Sequence, residues 1–318
     1  MEEILERYVG RLAPSPTGAL HLGNVRTFMI AWLRARSLGG KVILRIEDLD
    51  HPRDKPGAAA AAVEDLRWLG FDWDERFVQS ERKSLYREAL SALRMHNLVY
   101  PCVCSRRDVE SAQSAPHAGE QLYYPGTCRN RFADWTEACA ALGRTSGRIP
   151  CWRFRVESGT RIEFQDAFSG ACSQNVSEVL GDFPLARDEG GAGYTLAAVY
   201  DDLTMGVTEV VRGDDLLQAT PAQLLVARAL IDVGALPAVR LPSYCHVPLV
   251  VGSDGRRLAK RHGDTRIAAL RAAGRSAESV LGYLASSCGW IRSGESVKLA
   301  ELLPLFNLST IPKSPFMI

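Results

Sequence analysis

The tightest constraint on the fold lies in the first fifty residues, where two apolar runs flank one helical pattern. The run YVGRLA, containing Arg11 and Leu12, reads as a short strand. A loop, Pro14-Ser15-Pro16-Thr17-Gly18, follows, and then Leu20-His21-Leu22-Gly23-Asn24. Downstream, Val25, Phe28, Met29, Trp32 and Leu33 recur at the spacing of one helix face, and Gly39-Gly40 stop the helix. The β-branched run from Lys41 through Val, Ile, Leu, Arg and Ile to Glu47-Asp48 reads as a buried strand. Strand, loop, helix and strand in this order form a βαβ unit. That unit commits the chain to an α/β fold whose parallel sheet is covered by helices.

The later chain continues the pattern with one interruption. Residues 57–69 and 82–96 read as helices. From about Tyr100 to Pro150 the periodicity weakens and turn-rich segments dominate, as in an inserted subdomain. After Cys151, WRFRV and RIEFQDAF alternate like strands, and GYTLAAVYDD and TEVVRG look like more sheet. Residues 219–234 read as a helix opened by Thr220 as cap and Pro221 at the first helical position. Two further helices close the chain.

With 318 residues there is room for about two domains, or one large domain with an insertion. No apolar run approaches the ~18 residues of a membrane-spanning helix, and the acidic start MEEILERYVG lacks the features of a secretory leader. A cytoplasmic protein, not membrane-bound, is expected. The net charge of +1 argues against a strongly basic protein that coats nucleic acid, although a local basic face is compatible with it. Lysine is scarce in a chain so rich in arginine, so a lysine placed where a phosphate must be met stands out.

Two segments have the chemistry of phosphate handling. The first is the loop from Pro14 to Asn24, placed between a strand and a helix N-terminus, where backbone N–H groups and the helix dipole favour an anion. Gly18 and Gly23 allow tight turning and close approach, and His21 can donate to a phosphate oxygen. The second is Arg256-Arg257-Leu258-Ala259-Lys260-Arg261, a basic loop preceded by glycines. It is suited to closing on a triphosphate and neutralising charge on leaving pyrophosphate. Taken singly, each also fits a helix cap and a solvated basic loop.

Of eight cysteines, Cys102, Cys104 and Cys128 lie in the irregular segment and can offer three sulfur ligands to a tetrahedral metal. Cys102 and Cys104 are too close in sequence for a comfortable disulfide. Spacing leaves the fourth ligand open among His117, Tyr123, Tyr124 and water. Cys139, Cys151, Cys172, Cys245 and Cys288 read as core or surface thiols.

Together, the two phosphate segments resemble the HIGH and KMSKS signatures of class I aminoacyl-tRNA synthetases, in the glutamyl/glutaminyl branch. Further matches stand in order between them. They are Arg45-Ile-Glu47-Asp48-Leu-Asp50, Leu69 to Trp73, Gln79-Ser80, Tyr86, Val211-Arg212-Gly-Asp214-Asp215, and Thr220-Pro221-Ala-Gln223. The resemblance runs from Arg11 to about Asp264. There are departures: Asn24 stands at the last HIGH position, and Ala259 replaces the usual KMSKS serine and its hydroxyl.

The resemblance implies a Rossmann-type catalytic domain and activation of glutamate by ATP, with Mg²⁺ accompanying the nucleotide. It implies glutamate contacts at Arg11, Leu12, Ala13, Pro14, Ser15, Glu47, Tyr194 and Arg212, with Glu47 meeting the α-ammonium. Thr195 stands where the family has glutamine after that tyrosine. It implies ATP contacts at Gly18, His21, Gly23, Asn24, Leu258 and Lys260, with His21 and Lys260 the residues closest to the chemistry. The substrate carboxylate attacks phosphorus directly, so the protein need only position the reactants and stabilise charge. The family of shortened glutamyl-synthetase paralogues carries one structural zinc on Cys-x-Cys, Tyr and Cys, which points to Cys102, Cys104, Tyr124 and Cys128.

The implied organisation is a first catalytic half over 1–99, a zinc-bearing insertion over 100–150, a second catalytic half over 151–264, and a short helical tail over 265–318. The 54 residues after Asp264 leave no anticodon-binding domain of the usual kind. That matches the glutamyl-queuosine tRNA(Asp) synthetase family, which activates glutamate without tRNA and transfers it to queuosine in the anticodon loop of tRNA(Asp). A monomer is expected. The competing readings are a short glutamyl-tRNA synthetase charging a tRNA 3′ end, and a non-catalytic zinc-bearing RNA-binding relative.

Overall fold

A computed structural model describes residues 7–49, 56–111, 122–143, 147–188, 191–256, 258 and 264–318. Lys260, Ala259, Asp50 and His117 lie outside the described residues. The chain opens with β1 (Val9–Leu12), α1 (Leu22–Ser37), β2 (Lys41–Ile46), α2 (Ala58–Trp68), β3 (Glu75–Val78) and α3 (Lys83–Met95). The three strands form a parallel sheet in the order β1-β2-β3, with Arg11 level with Ile43 and Ile43 level with Glu75.

The second part runs β4 (Val99–Cys102), α4 (Arg106–Ser111), α5 (Trp135–Leu142), β5 (Cys151–Phe154), β6 (Arg161–Asp166), β7 (Gly170–Asn175), α6 (Val176–Val179) and β8 (Phe183–Ala186). It continues with α7 (Tyr194–Thr204), β9 (Glu209–Gly213), α8 (Thr220–Asp232), β10 (Ser243–Val247) and β11 (Val250–Val251). The chain ends with α9 (Ile267–Ala272), α10 (Ala277–Ser286) and β12 (Phe316–Met317). Strands β6, β10 and β9 are parallel neighbours, with β7 antiparallel at the edge. Strands β4, β5 and β8 make a separate antiparallel sheet. The final strand β12 pairs with β11, so the tail is not wholly helical.

The two parallel sheets meet where β1 lies along β9. The Val9 carbonyl accepts the Thr208 N–H at 2.9 Å, and the Arg11 guanidinium reaches the Val211 carbonyl at 2.8 Å. Strand order is therefore 3-2-1-9-10-6, reversing direction of growth between β1 and β9. In open α/β sheets, ligands bind at that reversal, outside the carboxyl ends of the strands.

Alternation along the strands packs both faces. Val42, Leu44 and Ile46 join Leu12, Val211 and Val247 under α1, α2 and α10. Ile43, Val210 and Tyr244 face α3, α7 and α8. The segment GYTLAAVYDD is a helix, α7, and not a strand as its apolar run suggests. Leu196 to Leu203 are buried on nearly every side, so the run shows no helical period, and apolar runs of this length are ambiguous by pattern alone.

Candidate active site

His21 is the N-cap of α1. Its Nδ1 accepts the N–H groups of Gly23 at 3.1 Å and Asn24 at 3.4 Å, and Asn24 Oδ1 accepts the His21 N–H at 3.1 Å. This reciprocal box satisfies orphan donors of the first turn. It also fixes the tautomer: with Nδ1 accepting, the neutral ring carries its proton on Nε2. A Cβ at Gly23 would lie 3.1 Å from that ring, whereas at Gly18 it would meet nothing within 4 Å. The loop is braced from behind by the chain that follows the basic segment. Leu22 N–H donates to Thr265 O at 3.0 Å, and Ile267 N–H to Leu20 O at 2.9 Å.

At the carboxyl ends of β1 and β2 sits a buried ionic cluster. Arg45, fully buried, donates to Asp202 Oδ1 at 2.6 Å and to Glu47 Oε1 at 2.9 Å. Arg11 lies 3.5 Å from the same Asp202 oxygen. Burial pushes the Glu47 carboxyl up, against the opposing pull of Arg45 and Arg11. Glu47 N–H donates to Pro14 O at 3.0 Å, tying the end of β2 to the first loop. Leu12 is in the core, Pro14 is buried, Ala13 is half-buried and Ser15 is exposed.

Arg212, near the end of β9, is buried and is not the surface ion pair that Asp214 and Asp215 suggest as an alternative. Its Nε–H donates to His246 Nε2 at 2.9 Å, and its Nη2 to Thr220 Oγ1 at 2.8 Å. Nη1 faces the Tyr194 hydroxyl at 3.4 Å, and Tyr194 is 43% exposed rather than part of the core. Arg11 and Arg212 are neighbours, because Arg11 donates to the carbonyl of the residue before Arg212. Thr220 is not the cap of α8: Ala219 holds that place, and the threonine hydroxyl is taken up by Arg212, His246 and Leu216.

Acidic residues around the site take up Gln79, Ser80 and Tyr86 of the ordered matches. Asp201 accepts from Gln79, Arg82 and Tyr86, and Asp48 accepts from Ser80. A cavity of about 570 Å³, lined by Arg34, Phe168, Phe306 and Lys313, is elsewhere. Arg34 lies about 20 Å along α1 from His21.

Beyond β4, the sulfurs of Cys102, Cys104 and Cys128 all lie within 4.8 Å of one another and can hold a metal ion. The Tyr124 hydroxyl sits among them, 3.3 Å from Cys102 Sγ and 3.7 Å from Cys104 Sγ, and accepts the Cys128 N–H at 2.8 Å. Tyr123 is exposed. Tyr124 is fixed by its own N–H to Leu180 O at 2.9 Å and by a bridge to Gly181, where a Cβ would come within 2.3 Å of the Tyr124 carbonyl oxygen. Arg153 on β5 donates to Cys102 Sγ at 3.1 Å and stacks 3.7 Å from the Tyr124 ring centre. Cys151 is the cross-strand neighbour of Cys102, closer to the cluster than its spacing suggests.

The profile of the class I tRNA synthetase (E and Q) catalytic domain matches residues 8–311. A protein of Symbiobacterium thermophilum named glutamyl-Q tRNA(Asp) synthetase is 46% identical over 320 residues, covering 97% of this chain and 95% of that one. The chain belongs to the glutamyl-Q tRNA(Asp) synthetase family of class I synthetases. It is an enzyme, a synthetase-type ligase. A relative of the same name from Rhodopirellula baltica is 47% identical over 299 residues, covering 88% of this chain and 85% of that one. Among solved structures, a glutamate tRNA ligase from Elizabethkingia meningosepticum, crystallised with its amino acid, superposes with a TM-score of 0.77 at 27% identity. It covers 98% of this chain and 67% of that one. Among the described residues, no helix is long and apolar enough to cross a membrane.

Sequence reasoning missed Asp202, Asp166, His246 and the true work of Thr220. Asp202 was within reach, since two adjacent acids at the end of an apolar helix demand buried partners. His246 lies in a strand run with no motif around it, and its only signal is a histidine among core residues.

Proposed function

We propose that this enzyme activates L-glutamate with ATP, without needing tRNA, and transfers the glutamyl group to queuosine at the wobble position of tRNA(Asp). The observation that carries this reading is the convergence, at the strand-order reversal, of two guanidiniums, Arg11 and Arg212, with the Glu47 carboxylate. An amino acid with two carboxylates and one ammonium complements that set. Arginine forks suit carboxylates, and Glu47 suits the ammonium.

In this reading Arg212 and Tyr194 receive the side-chain carboxylate. Arg11 and the segment Leu12 to Ser15 line the amino-acid pocket, and Glu47 receives the α-ammonium. Gly18, Gly23, Asn24 and Leu258 border the nucleotide. His21 Nε2–H donates to phosphate, and Lys260 neutralises the departing pyrophosphate. The α-carboxylate of glutamate attacks the α-phosphorus, and pyrophosphate leaves; Mg²⁺ accompanies ATP. Catalysis is then positioning and charge stabilisation.

The catalytic halves are 1–99 and 151–264, with the tail over 265–318. The insertion, 100–150, is assigned one structural zinc on Cys102, Cys104, Tyr124 and Cys128. Three soft sulfurs and a phenol oxygen in one small cluster fit a closed tetrahedral site. Zinc there would cross-link the insertion loop.

The test is incubation with labelled glutamate and ATP, with queuosine-containing or queuosine-free tRNA(Asp). Glutamate-dependent ATP–pyrophosphate exchange without RNA is expected, lost in Lys260→Ala, with label passing to the queuosine-containing tRNA alone. Label on a periodate-sensitive 3′ end would instead identify a tRNA-charging enzyme. No exchange at any glutamate concentration would identify a non-catalytic relative.

A further inference from the structure

Arg212 is held on one side by Thr220, part of a motif that marks this fold, and on the other by His246, which lies outside all of them. We propose that His246, oriented by Asp166, is a positioning residue whose unprotonated Nε2 takes the Arg212 Nε–H and so aims the Nη1 edge at the side-chain carboxylate of the amino-acid substrate. The proposal rests on the assignment of Arg212 as a substrate contact made above.

The geometry is directional. Nε is taken by His246 at 2.9 Å, and Nη2 by Thr220 Oγ1 at 2.8 Å with Leu216 O at 3.4 Å. The remaining corner, Nη1, points to Tyr194, the half-exposed member of the group. Two corners of the planar fork are thus pinned by buried partners while the third looks outward.

The acceptor is an imidazole for a physical reason. A carboxylate against Arg212 would neutralise it and compete with an anionic substrate, as Asp202 and Glu47 do at Arg45. A neutral lone pair fixes direction and leaves the positive charge intact. For Nε2 to accept, the ring must carry its proton on Nδ1. Asp166 ensures this, with its Oδ2 2.7 Å from His246 Nδ1. Asp166 is itself immobilised by the N–H groups of Phe168 at 3.0 Å, Ser169 at 2.7 Å and His246 at 3.1 Å. The chain Asp166–His246–Arg212 spans β6, β10 and β9, three adjacent parallel strands.

A merely structural histidine would clamp β10 to the β6–β7 turn through Asp166 and owe nothing to Arg212. Two substitutions separate these roles. His246→Asn keeps a donor near Nδ1 and loses the acceptor at Nε2. His246→Gln keeps an acceptor near Nε2 and loses the donor to Asp166. The experiment is glutamate-dependent ATP–pyrophosphate exchange, with KM for glutamate, KM for ATP and kcat measured for both variants and for Arg212→Ala and Thr220→Val.

Positioning predicts that His246→Asn raises the glutamate KM on the order of tenfold or more, as expected for loss of a hydrogen bond to a charged group, with the ATP KM unchanged. His246→Gln should stay within about threefold of the parent, and Thr220→Val, which frees the other corner, should raise the glutamate KM as well. The opposite order, Asn tolerated and Gln impaired, overturns the proposal, as do parallel changes in both KM values. Should either histidine variant fail to fold, ¹⁵N spectra of histidine-labelled parent and Arg212→Ala enzymes decide: an Nδ1-protonated ring whose Nε2 resonance moves when Arg212 is removed supports the proposal, and an Nε2-protonated ring or an unmoved Nε2 resonance overturns it. An unchanged glutamate KM in Arg212→Ala would sink the substrate assignment itself. A raised value there beside a normal His246→Asn would sink only the role of His246.

Discussion

His246 is a single residue with a pH signature. Burial holds its imidazole below the ordinary value of 6.5; the Asp166 hydrogen bond opposes this, and Arg212 and Arg11 reinforce it. Asp214 on the β9 side, the stacked Tyr244 on its own strand and Thr220 of α8 complete its surroundings. With the folded value depressed, the unfolded chain binds a proton below about pH 6.5 that the folded chain does not. Stability from the neutral ring is therefore full above that pH and lost as pH falls toward the folded value. His246→Gln, having no titrating ring, should show a flatter urea midpoint between pH 5 and 7 than the parent. Asp166 acts in a lower window. Burial raises it, but the hydrogen bonds from His246, Ser169 and Phe168 bring its carboxyl below the usual range, so its contribution is lost in stronger acid. Arg153 makes a second residue-scale case. Zinc with three thiolates and a phenolate carries net negative charge, and a buried guanidinium 3.1 Å from one sulfur and stacked on the phenol ring offsets part of it. Arg153→Leu should weaken zinc retention by roughly tenfold or more in chelator competition, in the range seen for lost outer contacts of metal ligands.

At the scale of elements, the start of α1 carries cap and chemistry in the same five residues. The departure at Asn24 has a local reason: its side chain closes the capping box on the His21 N–H, which frames the ring whose Nδ1 accepts from the helix start. Asn24→Ala should cost about 1 kcal/mol, the usual worth of a cap interaction. Measured by urea unfolding, the loss should accompany slower pyrophosphate exchange, because the ring loses its frame. This element was legible beforehand, since the cap, the apolar stripe and the terminal glycines all agree. Helix α7 was not. Its residues Leu196 to Leu203 pack on α3 and α8 and on the sheet at once, so burial erased the period that would have shown its type. Thr220 misled in another way. Thr-Pro reads as a cap, but the hydroxyl is worth more to Arg212, because an unsatisfied buried guanidinium costs more than an uncapped helix start.

At the scale of the molecule, the parallel sheet and the cysteine cluster are stabilised by different means. The sheet of β1, β2, β9 and β10 has apolar residues and helices on both faces and owes nothing to sulfur ligands. Strands β4, β5 and β8 are likewise held by backbone pairing and by stacked aromatics such as Phe154 on Phe183. Among the described residues, those around the cluster have a small core of their own, Tyr100, Cys102, Val109, Tyr124 and Cys128, three of them ligand candidates, with Val103, Leu122 and Phe132 partly buried against it. The sequence makes the three sulfurs visible by spacing, but not the choice of oxygen. That choice depends on Leu180 and Gly181, far along the chain, which seat the Tyr124 backbone. So small a core gives a loop little hold by burial, and a metal bound at the cluster would add to it. On the proposed zinc assignment, removal of the metal by a chelator should act locally. Hydrogen exchange should rise over residues 103–111 and 122–132 while residues 9–12, 41–46 and 209–213 keep their protection. Glutamate-dependent pyrophosphate exchange should persist, since among the described residues Arg11, Glu47 and Arg212 are held by Val211, Asp202, Arg45, His246, Tyr194 and Thr220 rather than by the cluster. Uniform loss of protection across both regions would mean that the cluster and the sheet unfold as one unit.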